Sequence, residues 1–311
     1  MMRPVTFGLV LPAGSPTRAG RATFVADLNR ALSLVAGHFS SAWMIDHLQD
    51  GADDMLESFT TISYLAALYP QLMFGQTVVC QSFRNPALLA KMGATLQLMS
   101  GGRFILGLGA GWNEDEYRAY GYAFPPAPVR VAQLEETIQI VKAMWTQEQA
   151  SFQGTYYHIL NAVCEPRPDP LPPLIIGAFK PRMLRLTATY ADGWDVSSTG
   201  IVGYRRMAET FAQACAEIGR DPTTVRRSWS GGCVCAPTQA EAEQIGGERY
   251  SAQNDDDFSF VGTPQQIIAQ MQPFIALGVD SFLLDCGGFP NLTTLELLVH
   301  EVLPVVTQAT A

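Results

Sequence analysis

Charge is scarce in this chain of 311 residues: Asp, Glu, Lys and Arg together make up 16% of it. Long disordered tails, which are rich in charge and poor in apolar residues, are therefore not expected. Basic residues are the scarcer sign, with 20 Lys and Arg against 29 Asp and Glu and a net charge of −9. Nucleic-acid binding draws on clustered Lys and Arg, so that class is disfavoured. An anionic membrane surface gains no support either. An anionic ligand would have to be held locally, by a few basic groups or by backbone N–H groups. Histidine is rarer still, with four scattered copies at His38, His47, His158 and His300. The six cysteines (Cys80, Cys164, Cys215, Cys233, Cys235 and Cys286) include no C-x-x-C pair. Metal-site spacing is thus missing and no metal is expected; reduced core thiols are the better reading. No apolar run approaches the length of a membrane span. The run 5–11 stops at Pro12 and is too short for a signal peptide's apolar region. A soluble cytoplasmic protein is expected, with no internal repeat and no low-complexity tract.

What the chain does have is apolar substance, 48% of its residues, enough for a sizeable core. Strand-like apolar runs fall at 5–11, 41–45, 72–79, 103–108, 174–177, 193–196, 227–235 and 281–285. Helical patterns lie between them. Asn85-Pro86 is a helix start, with Asn as N-cap and Pro in the first turn. Leu88, Leu89, Met92, Leu96 and Met99 follow at helical spacing. Val131, Leu134, Ile138, Val141 and Trp145 repeat that spacing, as do Ile267, Ile268, Met271 and Ile275. Asn113 with Glu116 three residues on reads as a capping box. Strands alternating with helices predict an α/β fold of parallel βα units, most economically a closed (β/α)8 TIM barrel. A doubly wound open sheet is the alternative. The chain reads as one domain over 1–311. Insertions are expected at about 149–173, where "SFQGTYYHI" predicts a small hairpin, and at about 246–261, read as a surface lid or loop.

Barrel enzymes carry their chemistry at the carboxyl ends of the strands. Strand two ends in "IDHLQDG", which brings Asp46 and His47 to the mouth as an acid–base pair or as a structural pair. Trp43 within that strand reads as packing. Arg84, just before a helix start, reads as an anion ligand or as a cap for a neighbour. Strand four runs into "GLGAGWNEDEY". Glycines at 107, 109 and 111 remove side chains where a flat ring or a phosphate could approach the backbone, or they serve only a tight turn. The spacing does not match a dinucleotide fingerprint. Glu114, Asp115 and Glu116 favour a helix N-terminus electrostatically. A glycosidase would need a second carboxylate at another strand end, and none is convincingly placed. Strand five ends in "IIGAFKPRMLR", where Gly177, Ala178 and Lys180 before a helix look like an anion cradle, or like a basic helix face in solvent.

These stretches carry a likeness. "SAWMIDHL", the block from "FGQTVVCQSFRNPALLAK" through "MSGGRFILGLGAGWNEDEYRAYG", "RVAQLEETIQIVKAMW" and "PPLIIGAFKPRMLRLTATYADGW" span about residues 40–196. In that order they resemble the bacterial luciferase-like monooxygenase superfamily, in its branch dependent on coenzyme F420, an 8-hydroxy-5-deazaflavin. The resemblance implies a (β/α)8 barrel, often dimeric, and a hydride-transferring oxidoreductase acting on a small organic substrate. It implies Asp46 and His47 near the deazaflavin ring, with His47 as proton donor and Asp46 orienting it or touching the ring. It implies a non-proline cis peptide near Thr77 and Val78 behind the ring. It implies Gly107, Gly109, Ala110, Gly111 and Trp112 along the cofactor, and Gly177, Ala178, Phe179 and Lys180 at its phosphate. The family usually has two glycines where this chain reads Gly177-Ala178-Phe179. An FMN-dependent monooxygenase served by a partner reductase is the alternative, as is a non-catalytic flavin-binding barrel.

Overall fold

The computed structural model describes residues 3–250 and 255–308. Its strands are β1 (Thr6–Val10), β2 (Ser41–Met44), β3 (Met73–Gln76), β4 (Val79–Cys80), β5 (Phe104–Gly109), β6 (Ala150–Gln153), β7 (His158–Ala162), β8 (Leu174–Gly177), β9 (Gly193–Ser197), β10 (Arg226–Cys235), β11 (Phe260–Gly262) and β12 (Ser281–Cys286). The helices are α1 (Phe24–Val35), α2 (Ser58–Leu68), α3 (Pro86–Met99), α4 (Glu114–Ala119), α5 (Ala127–Thr146), α6 (Pro181–Tyr190), α7 (Ile201–Glu217), α8 (Gln239–Gly246), α9 (Pro264–Ala276), α10 (Thr293–Leu297) and α11 (Leu303–Gln308). A π-helical turn, Leu298–Val302, joins the last two.

Parallel pairing runs β1-β2-β3-β5-β8-β9-β10-β12 and returns to β1. The ring is closed, which removes the open-sheet alternative and leaves an eight-strand barrel with helices between its strands. β11 adds to β10 outside the ring, and β6 and β7 form the antiparallel hairpin expected in 149–173. The stretch 246–261 is described only in part, since residues 251–254 lie outside the described residues.

The strands read as continuous apolar runs because both of their faces are covered. Outward side chains such as Phe7, Phe74, Phe104, Ile176 and Phe282 pack under the helices. Inward ones, Val10, Trp43, Ile105 and Leu283, plug the barrel. Each such large side chain contributes roughly 1.5–3 kcal/mol on full burial. Trp43 is indeed packing. Its indole fills the space opposite Gly8 and Gly75, where a Cβ would come within 2.6 and 2.7 Å of it. α3 starts as its residues dictate, with the Asn85 side chain accepting from the N–H groups of Ala87 and Leu88 and Pro86 opening the first turn. The run expected as one strand over 72–79 is two, β3 and β4, separated at a cis peptide between Thr77 and Val78.

Candidate active site

A cavity of about 1260 Å³ opens at the carboxyl ends of the strands. That is ample for a tricyclic ring together with a second small molecule, since ligand pockets run roughly 300–1,000 Å³. Asp46, His47, Thr77, Val78, Gly109, Ala110, Gly111, Trp112, Gly177, Phe179 and Lys180 all lie on its wall. Gly107 and Ala178 do not, and two more expectations need correction.

The first concerns Asp46. It does not touch His47 among the described contacts. Its carboxylate accepts from Ser58 Oγ at 2.6 Å and from the Cys80 N–H at 3.0 Å. Arg84 grips it in a fork, at 2.7 and 2.8 Å, and reaches on to Glu57 at 2.6 Å. Both partners are withdrawn from water, with the Asp46 side chain 2% exposed and the Arg84 side chain 9%. Asp46 is thus a latch between the ends of β2 and β4 and the start of α2. Arg84 is its counter-ion.

The orienting carboxylate of His47 is Glu116, on α4. Glu116 Oε1 lies 3.0 Å from His47 Nδ1, and Oε2 accepts from the Leu48 N–H at 3.0 Å. The capping box expected from Asn113 and Glu116 does not form. Asn113 makes no side-chain cap, because Glu116 is turned inward and only 2% exposed. With Glu116 ionised, Nδ1 carries a proton and donates it, so the tautomer follows from the hydrogen bond. Nε2 has no protein partner among the described contacts. Trp112 stands edge-on to the imidazole, 5.6 Å between ring centroids, and is itself 71% exposed. A carboxylate holding one imidazole nitrogen while the other faces a cavity is the arrangement general acid–base chemistry uses.

The glycines of β5 have a different first duty from the one expected. A Cβ at Gly107 would overlap the Gln76 carbonyl oxygen. One at Gly109 would come within 2.5 Å of Val78 Cγ2, and one at Gly177 within 3.2 Å of the same atom. The three glycines form a dish for the backbone turn at 76–78 and the Val78 side chain. It is Val78, seated in that dish, that fills the wall behind the cavity. Gly107→Ala is expected to destabilise the fold by about 1–3 kcal/mol through overpacking, read from urea unfolding. An unchanged midpoint would mean that the turn at 76–78 does not press on β5.

At the other side of the mouth, Ala178 is buried. Its N–H donates to the Asp195 carbonyl at 3.1 Å and its own carbonyl accepts from Trp194 Nε1 at 2.9 Å. That backbone group is spent on the fold and is not free for an anion. Lys180 is exposed, caps α6 without a side-chain hydrogen bond, and is followed by Pro181 in the first turn. Phe179 beside it is 42% exposed. The helix end and the ammonium remain as the positive feature there.

Two further acids were not singled out from the sequence. Asp195, in the middle of β9, accepts from Ser228 Oγ at 2.6 Å, Ser230 Oγ at 2.8 Å and Thr77 Oγ1 at 3.1 Å. Burial raises its carboxyl above the ordinary value, against the pull of those hydroxyls. Asp285, at the end of β12, accepts from Arg249 at 2.8 Å and from the Tyr250 hydroxyl at 3.2 Å. Burial raises it too, with Arg249 opposing. Position could have flagged Asp285, a carboxylate at the carboxyl end of a barrel strand. No group of metal-binding side chains occurs among the described residues, nor is any described helix long and apolar enough to cross a membrane.

The family model of luciferase-like monooxygenases matches residues 5–253, and the chain belongs to that family. Over 164 residues it is 34% identical to an F420-dependent glucose-6-phosphate dehydrogenase of Microbacterium testaceum. That match covers 51% of this chain and 48% of the relative, so it spans about half the relative's length. The protein of the same name from Amycolatopsis mediterranei is 30% identical over 296 residues, 85% of this chain and 89% of that one. In three dimensions the chain is similar to an F420-dependent secondary alcohol dehydrogenase solved in complex with an F420–acetone adduct. The TM-score is 0.82 at 18% identity, covering 98% of this chain and 99% of that one, a likeness of fold.

Proposed function

We infer that this chain is a single-domain oxidoreductase that moves a hydride between coenzyme F420 and a small organic molecule. The observation that carries the reading is His47, held by buried Glu116, on the wall of a cavity that Lys180 also lines. The residues present fit the cofactor. Val78 in its glycine dish offers a flat apolar backing, and Thr77, Gly109, Ala110, Gly111 and Trp112 continue that wall. Gly177, Phe179 and Lys180 lie where a phosphate would meet the α6 N-terminus. When bound, the deazaflavin supplies a carbon that accepts or donates hydride. The chain's own part is to orient the reactants, exclude water and manage one proton at His47 Nε2. The reading is tested by mixing cofactor-saturated protein with a panel of secondary alcohols, aldehydes and enones and following the deazaflavin absorbance. A panel without any turnover in either direction would speak for the non-catalytic alternative.

Lys180→Ala is expected to weaken F420 binding by about 1–3 kcal/mol, the worth of a charge-assisted contact. The loss should be much smaller for a cofactor fragment lacking the phosphate. Equal losses for both would move the phosphate site elsewhere.

The same proposal includes a cytoplasmic location and a homodimer. Supporting the dimer, α2 and α3 leave Tyr64, Leu68, Leu88 and Met99 exposed, and Met99 also lines a groove of about 500 Å³ between these helices. Sedimentation velocity should give twice the mass of the 33.9 kDa chain. A monomer at micromolar concentration would contradict it.

A further inference from the structure

The cavity has two unlike halves. One is the wall just described, from β2 through β9. The other is bounded by β12, β1 with its following loop, and the segment 245–250. This second half is lined by Leu11, Met55, Ile245, Phe289, Leu292 and Leu295. Its polar groups are few and already engaged. The one guanidinium on this wall, that of Arg249, is bound to Asp285, and Tyr250 gives its hydroxyl to the same carboxylate. Asp50, Asp53 and Asp54 ring the adjoining rim, with Asp54 held by Arg21. Among the described residues the wall carries two further basic side chains, His47 and Lys180, both on the cofactor's side.

We propose that this second half is the substrate subsite and takes an uncharged, largely apolar alcohol or carbonyl compound rather than a phosphorylated one. The proposal rests on the F420 reading only for the word substrate; the selectivity belongs to the pocket itself. A sugar phosphate brings two negative charges to a surface where carboxylates outnumber free cations, and like charges in a cleft repel strongly. It would also need Arg249 released from Asp285, which would leave a carboxylate in the wall without its counter-ion. An alkyl or aryl body can lie against the apolar side chains of this half, and its single oxygen can be met by His47. The relatives named for glucose 6-phosphate are thus not guides to this chain's substrate.

The test is ligand binding, which does not depend on turnover. Dissociation constants for 2-octanone and for glucose 6-phosphate are measured by saturation-transfer NMR on the full chain, with and without F420. The ketone is expected to bind about tenfold or more tightly than the sugar phosphate, as apolar burial and charge repulsion both favour it. In Asp285→Asn, with Arg249 released, glucose 6-phosphate should gain about tenfold, the scale of one charge-assisted contact. Wild-type protein binding the sugar phosphate as tightly as the ketone would overturn the proposal, and so would an Asp285→Asn variant with no gain. If F420 itself fails to bind while the ketone does, the cofactor reading falls and the pocket's selectivity stands.

Discussion

His47→Ala is expected to lower kcat about 10²–10⁴-fold, the usual worth of a positioned general acid or base, with little change in cofactor affinity. The expectation follows from what the ring touches. One nitrogen is fixed by Glu116 at 3.0 Å, and the other meets the cavity without a protein partner among the described contacts. Such a group acts in the transition state, so its loss lowers kcat and kcat/KM together. Glu116→Gln should give a smaller loss, because the amide keeps the ring in place but no longer stabilises the imidazolium. The measurement is steady-state kinetics on a substrate found in the panel, beside an F420 titration of each variant. A wild-type kcat with weakened F420 binding would make His47 a packing residue, and the site would work by hydride positioning alone.

Arg84→Met should destabilise the protein by about 3–5 kcal/mol, because it removes one partner of a buried ion pair and leaves the other uncompensated. Asp46 would keep Ser58 and the Cys80 N–H but lose both guanidinium contacts. Arg84→Lys should recover only part, since an ammonium cannot reproduce the two-pronged contact. Adding Asp46→Asn to Arg84→Met should restore much of the loss, as no unpaired charge remains. Urea unfolding of the four proteins reads this directly. A single-variant loss under about 1 kcal/mol would place Arg84 among ordinary surface ion pairs and would remove the latch between β2 and β4.

Much of this was legible in the sequence, and the reasons are physical. Parallel barrel strands are covered on both faces, so they stand out as apolar runs, and all eight fell within a residue or two of β1, β2, β5, β8, β9, β10 and β12 and of the broken pair β3 and β4. The break at Thr77–Val78 was invisible to periodicity, since "GQTVVC" reads as one strand; only the family resemblance pointed there. The glycines stood out in the sequence, but their packing against Gln76 and Val78 did not, because those residues lie far away in the chain from Gly107 and Gly109. Glu116 was misread for a related reason. An acid three residues after Asn113 at a helix start satisfies a local rule, and a tertiary partner 69 residues distant overrides it. Asp46 beside His47 made a pair in sequence, yet each is taken by a distant partner, Arg84 for Asp46 and Glu116 for His47. Asp285 sat at a strand end, where position recommended it, but it and mid-strand Asp195 are each embedded in an apolar run that reads as core.

The central claim is that this cavity is built for a deazaflavin, and equilibrium titration of the apoprotein with F420 and with FMN tests it most directly. The account predicts tighter binding of F420, by about tenfold or more, the scale of one charge-assisted contact, and weaker binding of both molecules in Lys180→Ala, since each carries a phosphate. Binding of FMN tenfold tighter than F420 would contradict it and would turn the reading toward a flavin monooxygenase served by a reductase.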